Sequence, residues 1–133
     1  MGIFEVRRRY TDTLWTKYMR IKYEFTCQKC QRIYSPDNTA ALQNLGVAHY
    51  HKRDHENVRF DEDNTLLLCN IPCHRYFDEH RGEFKDFMLN RLGQQLFDML
   101  ELRAHIYKKR DDRADAIIIR QMLKEIEGLS GPA

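Results

Sequence analysis

Two close pairs of cysteines, Cys27-Gln28-Lys29-Cys30 and Cys69-Asn70-Ile71-Pro72-Cys73, constrain this chain more than anything else in it. Thiolates at such spacings close a tetrahedral zinc site, with the residues between the pairs held as one loop. Four thiolate ligands leave no open position, so such a zinc is structural. A disulfide framework is the competing use of four cysteines, with three pairings open to it. Residues 1–10 are basic but lead into no apolar run, so no signal peptide is expected. No stretch has the ~18 apolar residues of a membrane span. A cytoplasmic setting follows as the expectation (the host-cell interior, if the gene is a phage's), and reducing conditions there favour metal over disulfide.

The chain has 133 residues, 42% of them hydrophobic, which predicts one domain with a modest core that a metal staple would help to fold. Leu14, Trp15, Tyr18 and Met19 recur at helical spacing and predict a helix over 12–24, capped by Thr11 or Asp12, in an N-terminal segment 12–26. Strands are expected over 47–52 and 65–69. A short helix should start at Pro72, capped by Asn70, and end before Gly82. Three helical faces follow within 83–128, punctuated by Gly93 and Gly128 and with Asp111 or Asp112 as a cap. They read as scaffold, or as the surface of a homodimer. The fold class is therefore α+β, a zinc-stapled ββα unit over 27–82 among mainly helical segments.

Three further residues in this unit have the chemistry of a phosphodiester cut. His49 titrates near neutral pH and in its neutral form can take a proton from water. His74, next to Cys73, can bind a divalent cation that takes up charge as the bond breaks. Asn64, with two donors and an acceptor, can tie the loop to its own backbone so that His49 points inward. Net charge is only +2, which does not by itself announce a nucleic-acid binder. Locally Arg7, Arg8 and Arg9 run together, and Lys52, Arg53, Arg59, Arg75 and Arg81 flank the candidate site, against an acidic run at Asp61-Glu62-Asp63. His55, His80 and His105 read as surface residues.

The run Asn64-Thr65-Leu66-Leu67-Leu68-Cys69 leading to Cys73-His74 resembles the second half of an HNH endonuclease motif, with His49 where that superfamily has its first histidine. Leu14-Trp15-Thr16-Lys17-Tyr18 ahead of the first cysteine pair, Ala48-His49-Tyr50, and Val58-Arg59-Phe60-Asp61-Glu62-Asp63-Asn64 resemble the NinG-like phage recombination proteins of the superfamily. The likeness spans roughly residues 12–102. It implies a ββα-metal fold and magnesium- or manganese-dependent DNA cleavage leaving 5′-phosphate ends. His49 would be the base, Asn64 the organiser and His74 the metal ligand. Arg59 would be a phosphate clamp, with Lys52, Arg53 and Arg75 as further DNA contacts. Many of these enzymes carry an aspartate just before the first histidine, where this chain has Ala48; His51 or Asp78 is then the candidate second ligand of the catalytic ion. The second cysteine pair is also one residue longer than the usual knuckle. Two other readings stay open: a zinc-stapled DNA-binding module that does not cut, and a zinc-dependent interaction protein working through its C-terminal helices.

Overall fold

Trp15, Tyr18 and Met19 bury one face of the first helix, α1 (Tyr10–Lys22), in a computed structural model that describes residues 9–130. Arg7 and Arg8 of the basic run lie outside the described residues. The helix starts two residues ahead of the expected position because Asp12 acts from its first turn. Its carboxylate accepts the Arg9 backbone N–H at 2.6 Å, satisfying a donor that the helix start leaves orphaned. After α1 the chain turns through Glu24 and Phe25, both at positive φ, into the first cysteine pair. A short helix, α2 (Thr39–Leu42), is capped by the side chain of Asn38, which accepts the Ala41 N–H at 3.1 Å.

Two antiparallel strands, β1 (Leu45–His49) and β2 (Thr65–Cys69), form the sheet, with Leu45 opposite Cys69 and His49 opposite Thr65. β1 stops three residues short of the expected end. The next amides leave the ladder for Asn64: Tyr50 donates to its backbone carbonyl at 2.9 Å and His51 to its side-chain oxygen at 2.8 Å. All five residues of β2 are buried, so it is a continuous core strand without polar alternation. α1 is tied across the sheet by Trp15 and Arg20. Trp15 Nε1 donates to Thr65 Oγ1 at 3.2 Å, and the Arg20 guanidinium donates to the carbonyls of Leu42 and Leu45.

Beyond β2 the chain makes a wide turn, Asn70–His74, before α3 (Arg75–Glu79). Asn70 does not cap a helix there, contrary to expectation. Its side-chain amide donates to Gln43 O at 3.0 Å and its backbone N–H to Asn44 O at 2.6 Å, which sews the turn to the residues before β1. The short helix does end before Gly82: α3 stops at Glu79, and a new helix, α4 (Arg81–Leu92), then runs through that glycine. Gly93 divides α4 from α5 (Gln94–Ala104), as expected. Asp111 caps α6 (Asp112–Ser130) by accepting the N–H groups of Arg113 and Ala114, and α6 continues past Gly128.

The C-terminal helices pack on their own chain. α6 lies against α1 with Ala116, Ile119 and Leu123 buried, and α5 lies against a short 3-10 turn, Glu56–Val58, in the loop between the strands. The acidic run is largely neutralised by this packing. Arg103 of α5 pairs with Asp61 at 2.8 Å and Asp63 at 3.1 Å, and Lys22 pairs with Glu62. No helix among the described residues is long and apolar enough to cross a membrane.

Candidate active site and metal centre

The four cysteines, 39 to 46 residues apart across the two pairs, meet. Their Sγ atoms all lie within 4.8 Å of one another, and those of Cys30 and Cys69 are 3.9 Å apart. Thiolates at ~2.3 Å from a tetrahedral zinc are separated by roughly 3.8 Å, so the cluster fits that ion. The first pair is a tight knuckle latched to β2: Gln28 N–H donates to Leu67 O at 2.8 Å and Leu67 N–H to the Gln28 side chain at 2.7 Å. The extra residue of the second pair is absorbed in the wide turn, where Ile71 is extended (φ −127°, ψ 122°). Burial pushes the Cys27 thiol up, but backbone N–H groups of Cys30, Cys69 and Lys29 outweigh it and bring it to about 7. Burial raises Cys69 and Cys73. Buried sulfurs of this kind become thiolates when a cation holds them.

His49 is the last residue of β1 and partly buried. Its Nε2 lies 2.9 Å from the backbone carbonyl of Arg59. A carbonyl oxygen only accepts, so Nε2 carries the proton and Nδ1 keeps its lone pair. Burial lowers the pKa to about 4, so the ring is neutral at pH 7.

His74 closes the wide turn, and its Nε2 is 3.4 Å from Oδ2 of Asp78, one helical turn on. Burial lowers its pKa, with Asp78 opposing and Lys52, Arg53 and Arg81 reinforcing. The other oxygen of Asp78 holds Lys52 Nζ at 2.7 Å. His49, His74, Asp78, Lys52 and Arg53 all line one cleft of about 870 Å³, with Asp12, Asp54 and His55.

A small divalent cation with oxygen and nitrogen ligands at ~2.1 Å spans neighbouring ligands roughly 3.0 Å apart, close to the His74–Asp78 separation. Among the described residues, the four cysteines alone form a group of three or more His, Cys, Asp or Glu side chains close enough for one ion. Ala48 is fully buried and supplies nothing to the cleft.

Asn64 is buried and clamps both ends of the loop. Its side chain accepts the His51 N–H and donates to the carbonyls of His51 (2.9 Å) and Val58 (3.1 Å).

Three expected residues are elsewhere. His51 lies beyond the strand end and turns its ring toward α5, with Nε2 2.7 Å from Glu101 Oε1, so it does not join His74. Arg59 is fully buried, its guanidinium held by both oxygens of Asp12 at 3.0 and 2.6 Å; an interior side chain cannot clamp a phosphate arriving from solvent. Arg75 is exposed and paired with Glu79 at 3.8 Å, outside the cleft lining. In the other direction, Asp12 and His55 line the cleft though sequence reasoning placed them as a helix cap and a surface residue. Asp12 is 47 residues from Arg59, a separation at which no local pattern signals a pairing.

No family model, curated protein or solved structure matches this chain.

Proposed function

We propose that the chain is a metal-dependent DNA endonuclease of the HNH type, which hydrolyses phosphodiester bonds in duplex or branched DNA. The observation that carries this reading is the shared cleft: an imidazole with an unprotonated Nδ1 on one element, and on another an imidazole–carboxylate pair whose histidine directly follows a cysteine of the four-cysteine cluster.

In this mechanism Nδ1 of His49 takes the proton of a water attacking phosphorus. The bond to the 3′ oxygen breaks and leaves a 5′-phosphate. His74 and Asp78 would hold a magnesium or manganese ion, which would supply Lewis-acid stabilisation of the charge that develops as the bond breaks. Lys52 and Arg53, at the rim of the cleft, meet neighbouring phosphates, and Lys52 is freed from Asp78 when its place there is taken. Asn64 keeps the loop shut around His49, and Cys27, Cys30, Cys69 and Cys73 would hold a zinc that keeps the wide turn bearing His74 against the sheet.

A non-cutting DNA-binding module is the second reading. It is favoured by Ala48, and by the Lys52 ammonium already sitting on Asp78. A supercoiled-plasmid assay with magnesium and then manganese separates the two. Nicking that falls by roughly 10²- to 10⁴-fold in His49→Ala, at unchanged zinc content, is the result expected of the enzyme. Retardation of DNA without product at high protein concentration would establish the module instead.

A further inference from the structure

We infer that Asp12 of α1 is a positioning residue for His49, acting through the buried side chain of Arg59. The inference rests on the reading of His49 as the base. The tautomer that leaves Nδ1 free depends on one acceptor, the carbonyl of Arg59 at 2.9 Å. That carbonyl belongs to a loop, residues 50–64, whose only regular element is the three-residue turn Glu56–Val58. Local bonds hold part of this loop, with the Arg59 N–H on Glu56 O at 3.2 Å and Asn64 on Val58 O at 3.1 Å; the side chain of Arg59 is what ties its own residue to α1. Its Nε and Nη2 grip the two oxygens of Asp12 at 3.0 and 2.6 Å, and its Nη1 donates to the carbonyl of Arg53 at 3.3 Å. Two parallel bonds fix the plane of a guanidinium as well as its place.

Asp12 is itself held. It is 6% exposed and accepts the Arg9 N–H, and Arg9 pairs through both terminal nitrogens with Glu56 at 2.8 and 2.6 Å. The start of α1 therefore grips the loop at Glu56 and Arg59 together. A buried ion pair adds little stability that an apolar pair of the same volume would not match. What it adds is direction: it aims the Arg59 carbonyl at His49.

Long-range proton–nitrogen NMR spectra of the zinc-loaded protein read the tautomer of His49 directly. The wild type should show a single form protonated at Nε2. In Asp12→Asn, which keeps the shape and removes the charge, that single form should give way to a mixture. Nicking at saturating DNA should slow by roughly 10²-fold with KM unchanged, as expected of a misaimed group. If this variant does not fold, Asp12→Leu with Arg59→Met, which removes both buried charges at once, carries the same measurement. A folded variant that keeps the single Nε2-protonated form overturns the inference. Failure of both variants to fold with zinc overturns it too, because the pair then serves the fold and not the base. The tautomer is read without DNA, so an absence of nicking by the wild type would defeat the nuclease reading alone.

Discussion

Burial sets the protonation state of His49. Its pKa of about 4 lies below the ordinary 6.5, so between those values the unfolded chain binds a proton that the folded chain refuses. The contribution to stability is complete above pH 6.5 and is lost as pH falls toward 4. From this group alone the loss between pH 7 and pH 5 comes to about 2 kcal/mol. Urea titrations at the two pH values should show the wild type losing about that much more than His49→Gln; equal losses would contradict the burial of this ring. Burial depresses His74 and His51 in the same direction, so those rings add to the acid sensitivity of both proteins and cancel in the comparison. The same neutrality lets the proposed base work unprotonated throughout the physiological range. The four-cysteine cluster was legible from residue type and spacing alone. The burial of Arg59 was not: an arginine beside an acidic run reads as surface until Asp12 arrives from another element.

Gly93 is where two helices must part, and it does so at φ 83°, ψ 161°. That conformation is essentially restricted to glycine, while a Cβ there would meet nothing within 4 Å. Gly93→Ala should therefore cost about 1–3 kcal/mol through backbone strain alone, with zinc content unchanged. A thermal melt indistinguishable from wild type would show that the α4–α5 junction is not as described. Helices were the legible elements. Apolar spacing marked the stretches that hold α1, α4, α5 and α6, but not the right face of the last two. Leu96, Met99, Leu102, Ile117 and Ile118 are exposed, whereas α5 buries Phe97, Leu100 and Ala104, and α6 buries Ala116, Ile119 and Leu123. Their ends depended on less local facts. Asp12 works from inside the first turn, and Gly82 and Gly128 are tolerated in helices that tertiary packing sustains. The end of β1 and the role of Asn70 were not legible, because both are set by hydrogen bonds to distant segments, Asn64 and Gln43–Asn44.

At the scale of the molecule, two short strands cannot stand alone, and each is held by something outside the sheet. α1 grips β1 through Arg20 and β2 through Trp15, α5 packs on the loop between the strands, and the cysteine cluster ties the knuckle and the wide turn to the end of β2. The cluster matters most for the site, because Cys73 precedes His74 directly and sets where its imidazole enters the cleft. All of the proposed chemistry therefore depends on four sulfurs sharing one ion. X-ray absorption at the zinc edge of the purified protein measures this directly. One zinc per chain with four sulfur neighbours at about 2.3 Å is the result this account predicts. A chain without tightly held zinc, or a shell containing nitrogen or oxygen in place of any sulfur, would contradict it.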